Sequence, residues 1–177
     1  MTTERTARLQ TDAQIGRMRD EDVEIVAALD RKCFPTPWSV SAYITEVHNP
    51  SGYYIVAKSD GRVVGYAGMW LIMDESHITT IGVEPSFRGM KIGERMLVNL
   101  LDEAVHRGAR RATLEVRRHN LVAQNLYLKY CFRFAAVRKG YYTNNNEDAL
   151  VMWVDDMSSD DFLKVFRTRK AELDRDV

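Results

Sequence analysis

One stretch is best equipped for chemistry: Ile81-Gly82-Val83-Glu84-Pro85, then Ser86-Phe87-Arg88-Gly89-Met90-Lys91-Ile92-Gly93-Glu94. An apolar strand meets a proline turn. A basic, glycine-bearing segment comes next and opens a long amphipathic helix. The first amides of a helix lack internal acceptors and carry the positive end of its dipole, so such a junction suits an anion, phosphate above all. Gly89 lets backbone approach a ligand closely, and Arg88 and Lys91 add charge. The same residues also describe an ordinary strand-to-helix connection, and the stretch alone leaves both readings open.

Other reactive side chains are sparse. The two cysteines, Cys33 and Cys131, sit beside Phe34 and between Tyr130 and Phe132, which predicts buried, inert thiols in a reducing cytoplasm. The four histidines, His48, His77, His106 and His119, show no ligand spacing with each other or with the cysteines, so no metal is expected. The formal net charge of the 177 residues is zero, so no global field draws the chain to nucleic acid or membrane. Charge is uneven, with a basic segment from Arg88 to Arg118 and an aspartate run from Asp155 to Asp161, which reads as solvated surface. The polar N-terminus lacks the apolar run of a signal peptide, and no stretch approaches the roughly 20 apolar residues of a membrane span.

The elements that must position these groups emerge from periodicity. Residues 1–13 read as a disordered lead-in, 14–155 as one domain and 156–177 as a helical tail. Ile15 to Met18 predict a short strand. Asp20 is the expected cap of a helix that repeats Val23, Val26, Leu29 and Cys33. Phe34-Pro35-Thr36-Pro37-Trp38-Ser39 stops it, and Trp38 there is either core packing or a binding wall. Ser39 or Ser41 caps a second helix. Three strands come next, Tyr53–Lys58, Arg62–Met73 and Ser76–Val83, with a hairpin turn at Ser59-Asp60-Gly61 and with Gly65 and Gly68 marking bulges or close approach. The helix from Lys91 buries Ile92, Met96, Leu100 and Ala104, and Gly108 ends it. A strand over Arg111–Val116, a helix capped by Asn120, and strands over Phe134–Lys139 and Ala149–Val154 complete the domain, with Tyr141–Asp148 as a loop. The apolar residues around Phe162 and Phe166 predict a last helix that either packs on the core or meets a partner. This order is an α/β (α+β) domain with a mixed, mostly antiparallel sheet flanked by helices.

At this point the sequence resembles the GNAT superfamily of acetyl-coenzyme A-dependent N-acetyltransferases, from about Ile15 to Val154. The family signature is Arg or Gln, two residues, Gly, one residue, then Gly or Ala. Here it reads Arg88-Gly89-Met90-Lys91-Ile92-Gly93. Lys91 departs from the internal Gly; the expectation is that this position is already helical, where Lys is tolerated. Within the superfamily the chain is similar to the RimI-type acetyltransferases of ribosomal-protein N-terminal alanine. Four pieces carry this: Phe34 to Ser39; Leu114-Glu115-Val116-Arg117 with Asn120; Asn125-Leu126-Tyr127; and Tyr141-Tyr142 with Glu147-Asp148-Ala149 and Met152. Cys131 replaces a usual Gly, which suggests a different helix end or modest strain.

The resemblance implies acetyl transfer from acetyl-CoA, with no metal, to the N-terminus of a small-subunit ribosomal protein that begins with alanine. It implies Glu115 as general base and Tyr127 as proton donor to the leaving thiolate. On residue type alone, Glu115 is a carboxylate paired with Arg117 or Arg118, and Tyr127 a core aromatic. Further implied are cofactor contacts at Ile81, Gly82, Val83, Arg88 to Glu94, Asn120 and Tyr127. Substrate contacts are implied at Phe34, Pro35, Trp38, Tyr141 and Tyr142. A peptide α-amino group, with a pKa of ~8, is about one-tenth neutral at pH 7; a lysine has roughly 200-fold less neutral amine. Two rival readings remain: a GNAT enzyme for lysine or small amines, and a non-catalytic acyl-CoA-binding module.

Overall fold

The computed structural model describes residues 13–175. All but the last residue of the expected N-terminal lead-in lie outside this range. The chain runs β1 (Gln14–Arg17), α1 (Asp20–Cys33), α2 (Val40–Val47), β2 (Gly52–Ser59), β3 (Arg62–Ile72) and β4 (Glu75–Val83). After a single 3₁₀ turn at Pro85–Phe87 come α3 (Ile92–His106), β5 (Arg111–Arg117), α4 (Leu121–Lys129), β6 (Arg133–Tyr142), β7 (Glu147–Val154) and α5 (Asp160–Arg175).

The strands form one seven-stranded sheet in the order β1-β2-β3-β4-β5-β7-β6. Only β4 and β5 pair in parallel, so the mixed, mostly antiparallel sheet expected from the pattern is present. Side chains alternate across it. Tyr54 and Val56 of β2 join Val23, Val26, Ala27 and Leu29 of α1 and Tyr43 of α2 on one face. Ile55 and Ala57 meet Ile92, Met96, Leu97, Leu100 and Leu101 of α3 on the other. The tail helix α5 packs on this second layer through Phe162, Phe166 and Leu173, which answers the alternative left open for it. Asp160 and Asp161 of the acidic run lie in its first turn, where negative charge meets the positive helix end.

One irregularity shapes the molecule. In the β3–β4 ladder Gly68 pairs with Thr80 and Met69 with Ile78, leaving Thr79 as a bulge. A bulge bends its strand. The parallel ladder with β5 stops at the same place, with Ile78 opposite Leu114. Beyond it, Thr79–Val83 and Glu115–Arg117 run on without pairing to each other, and the sheet opens between them.

Local differences from the expectation have identifiable causes. Arg19, not Asp20, occupies the first cap position, and the Asp22 carboxylate reaches back to accept its N–H at 3.0 Å. Ser39 is the cap of α2, accepting from the Ala42 amide at 3.1 Å. Asp60 and Gly61 both have positive φ, as a two-residue hairpin turn requires. Cys33 and Cys131 are half-buried, less than expected; burial pushes both thiols up, which keeps them protonated. The expected Tyr141–Asp148 loop is far shorter. The hairpin ladder continues to Tyr142 opposite Glu147, so Tyr141 and Tyr142 end a strand. Three contacts from Arg117, to Asn144, Asn145 and Glu147, tie down the polar turn and carry the ladder outward. Among the described residues no helix is long and apolar enough to cross a membrane.

Candidate active site

The open segment of β4 brings backbone to a surface. Gly82 is dictated by Tyr66 of β3: a Cβ there would lie 2.4 Å from the Tyr66 ring carbon Cζ and its oxygen. The Val83 carbonyl accepts from Arg88 Nε at 3.3 Å and from Cys33 Sγ at 3.4 Å, tying the loop and the end of α1 to this strand. Beyond Arg88 the chain turns through two left-handed residues, Gly89 at φ 81° and Lys91 at φ 59°. The helical reading of Lys91 is therefore corrected. It is the cap residue of α3 in a conformation that costs a non-glycine residue roughly 1 kcal/mol.

The neighbours of Lys91 on either side account for that turn. Met90 packs against the core and Ile92 is fully inside it, so the loop must reverse around Lys91 to bury both. The first amide to return a bond to the helix is that of Arg95, donating to the Lys91 carbonyl at 2.9 Å. The amides ahead of it, Ile92 to Glu94, belong to the turn that lacks internal acceptors. The Glu94 carboxylate points away, accepting from the Tyr130 hydroxyl at 2.9 Å and pairing with Lys129 at 3.4 Å. Backbone N–H groups, Arg88 and Lys91 thus make a donor set that suits a pyrophosphate.

Glu115 projects from the open end of β5. It pairs with neither Arg117 nor Arg118, which hold Glu147 at 2.9 Å and Asp148 at 3.2 Å. Its partners are His77 of β4, with Nε2 at 2.7 Å from Oε2, and Arg138 of β6 at 3.3 Å from Oε1. The hydrogen bond from His77 holds the Glu115 carboxyl below the usual carboxylate range; burial opposes this, and the charge of Arg138 adds to it. An ionised carboxylate only accepts, so Nε2 of His77 carries the hydrogen. His77 is a site residue that the sequence pattern did not single out. Only the β4–β5 register, which sets it opposite Thr113, brings it beside Glu115.

Tyr127 is enclosed in the opposite chemical setting. It is 9% exposed and packs 5.8 Å, centre to centre, from the ring of Phe132. Burial, then the charge of Tyr142, pushes its hydroxyl well above the ordinary phenol range. Its position is set from both ends of α4. Asn120 caps the start, accepting from the Ala123 amide at 3.2 Å. At the finish, Phe132 donates to the Tyr127 carbonyl at 3.2 Å and Cys131 to that of Leu128 at 3.3 Å, the two bonds of a Schellman turn. Cys131 takes the left-handed place at φ 66°, so of the two readings offered for it, modest strain holds. Tyr142 links the two walls. It is half-buried, its hydroxyl is pushed up to about 12 by burial, and the charges of both Arg117 and Glu115 act on it. The Arg117 guanidinium lies 3.8 Å over its ring.

The remaining expected contacts divide. Trp38 and Phe34 are half-buried against the α1–α2 layer, with the Trp38 ring 5.4 Å from that of Tyr43. Pro35 is exposed beside them. Tyr141 stands out from β6, 45% exposed and edge-on to Tyr142.

Comparison with known proteins decides the family. The model of the acetyltransferase (GNAT) family matches residues 23–131, more than half of the chain. The chain belongs to the GNAT acetyltransferase family. This GNAT chain is 39% identical over 147 residues to a Bacillus subtilis protein carried provisionally under the name ribosomal protein bS18-alanine N-acetyltransferase, covering 82% of this chain and 97% of that one. It is 36% identical over 144 residues to the N-alpha-acetyltransferase RimI of Mycobacterium tuberculosis, covering 78% and 89%. The crystal structure of the Escherichia coli ribosomal-protein-S18-alanine N-acetyltransferase superposes with a TM-score of 0.76 at 25% identity, over 84% of this chain and 97% of that one. The GNAT chain is an acetyl-CoA-dependent acetyltransferase, and the donor set at the start of α3 fits the pyrophosphate of that cosubstrate.

Proposed function

We propose that this enzyme acetylates the N-terminal α-amino group of a ribosomal protein that begins with alanine, in the cytoplasm, by direct transfer within a complex of enzyme, acetyl-CoA and peptide. The observation that supports it most is an ionised carboxylate, Glu115, on the open end of β5 and a protonated phenol, Tyr127, on α4, with Tyr142 feeling the charge of the first and acting on the second. The similarity to proteins named for alanine and N-alpha acetylation supports that substrate class.

In this reading acetyl-CoA supplies an activated acetyl thioester, and the chain supplies position and protons. The amides of Gly89 to Glu94, with Arg88 and Lys91, hold the pyrophosphate; backbone of Ile81, Gly82 and Val83 and the side chain of Asn120 line the arm. Phe34, Pro35, Trp38, Tyr141 and Tyr142 wall the groove for the peptide. Glu115, directly or through one water, takes a proton from the amine nitrogen as the C–N bond forms. General-base help of this kind is typically worth about 10²–10⁴-fold. His77 and Arg138 hold the carboxylate in place. Tyr127 gives its proton to sulfur as the C–S bond breaks. A free thiol has a pKa of ~8.5, but a thiolate formed in the enclosed setting of Tyr127 is itself disfavoured, which narrows the mismatch with the phenol.

The test is acetyl-CoA-dependent mass gain on short peptides that vary in the first residue, with a blocked N-terminus and internal lysine as the contrast. One added acetyl on free alanine or serine termini only is the expected result. A gain on the blocked lysine peptide makes it a lysine or broad-specificity enzyme. Turnover confined to small amines removes the peptide reading.

A further inference from the structure

Asp30 is a charge in the wrong place for a merely structural helix residue. It lies on α1, is 2% exposed, and among the described residues has no cationic partner. Removing a carboxylate from water costs several kcal/mol unless hydrogen bonds replace the water. Two do so, and neither comes from its own helix. The Trp38 amide donates to Oδ2 at 2.6 Å, and the Tyr66 hydroxyl donates to Oδ1. The helix end does not need this carboxylate, because Phe34 N–H is met by the Asp30 backbone carbonyl at 2.9 Å.

The two donors come from different places: the loop read as the acceptor wall, and the strand β3 that backs the open segment of β4. Trp38 ends the loop between α1 and α2, and its ring leans on Tyr43 and Tyr54 at 5.4 and 6.4 Å. Tyr66 lies on Gly82, in the strand segment assigned to acetyl-CoA. Cys33, one turn along from Asp30, bonds the Val83 carbonyl in the same segment. The Tyr43 hydroxyl is buried beside the same carboxylate.

We propose that Asp30 is a positioning residue for the acyl acceptor. Through the Trp38 amide and the Tyr66 hydroxyl it holds the Phe34–Ser39 wall at a set distance from β4, so that an amine enters in one register relative to Glu115. This rests on the reading of that loop as the acceptor wall.

The experiment compares Asp30→Ala, Asp30→Asn and Tyr66→Phe in the full chain, measuring kcat, peptide KM and acetyl-CoA affinity separately. Asp30→Ala should raise the KM of an alanine-starting peptide at least tenfold, leave acetyl-CoA affinity within about twofold, and change saturated kcat little. Asn can accept from the Trp38 amide while donating to the Tyr66 oxygen, so Asp30→Asn should recover most of the loss. Tyr66→Phe keeps ring and packing, and should raise peptide KM two- to fivefold even where Asp30→Ala fails to fold. Unchanged peptide KM in Tyr66→Phe and in the Asp30 variant that folds overturns the proposal. So does a rise in peptide KM matched by comparable losses of kcat and of acetyl-CoA affinity, which marks general loosening. If the wild type turns over no free-N-terminus peptide, the function reading fails in that arm alone. The same KM comparison on the amine it does accept then decides Asp30.

Discussion

The β5 wall and the α4 wall of the cleft treat their ionisable groups in opposite ways. Glu115 is surrounded by a histidine and an arginine from two other strands, and its charge is held. Tyr127 lies among rings at the end of a helix, and its proton is held. Each group is thereby fixed in the protonation state its proposed role begins from, Glu115 to receive a proton and Tyr127 to give one. Environment assigns acid and base here, since neither state needs the other group.

The most direct way to break this contrast is Tyr127→Phe. It keeps the ring packing and deletes the proton, so kcat should fall by about 10²–10⁴ with acetyl-CoA affinity retained. Wild-type turnover would leave Tyr127 a packing residue. Glu115→Gln should lower kcat by a similar order. Because Glu115 stays ionised through mild acid, the acid limb of kcat/KM belongs to the substrate. It should rise about tenfold per pH unit up to ~8, in wild type and variant alike. An inflection near pH 5 in the wild type alone would contradict the held charge.

A subtler probe is His77→Gln, which removes one support of the carboxylate and leaves Arg138. It should reduce kcat roughly three- to tenfold and shift Glu115 upward, read by its carboxyl resonance. Stability gives a third view. Glu115 and Glu147 are both depressed; Glu147 is pushed down to about 2 by the His119 amide and then by Arg117. A depressed carboxyl stabilises above its unfolded pKa of about 4.3 and loses that contribution as pH falls through the folded value. Unfolding midpoints should therefore drop between about pH 4 and 2, less in Glu147→Gln than in wild type. The smallest expected effect lies at the α4 end. Cys131→Gly removes the left-handed strain and should add about 0.5–1 kcal/mol, or ~1–4 °C in Tm, with kcat unchanged because the same Schellman turn persists.

Much of this contrast could be read from residue order. The strand, glycine-bearing loop and helix at Ile81–Met96 carry strong local signals. Asn120 and Tyr127 sit where capping and helical spacing put them. Three features were not legible, each for a physical reason. Lys91 is left-handed because burial of Met90 and Ile92 forces the chain around it, which no local propensity contains. His77 looks like any residue in an alternating strand, and its partner lies 38 positions away. Tyr141 and Tyr142 read as loop because the Asn-rich turn beside them hides how far Arg117 extends the ladder. Asp30 did leave a trace: Val23, Val26 and Asp30 share one buried face of α1, and a carboxylate on such a face needs a partner.

The bulge at Thr79 has a wider consequence. By position β4 and β5 are central strands, yet past Ile78 and Leu114 each presents the chemistry of a sheet edge toward the other. Edges template aggregation, and proteins usually blunt them with charge, proline or cover. Here the seam cannot be closed without losing the cleft, so in the proposed reading acetyl-CoA is its cover. Saturating cosubstrate should then act as a solubility factor as well as a reactant. It should suppress concentration-dependent precipitation at temperatures below Tm, beyond the rise in Tm that binding alone produces.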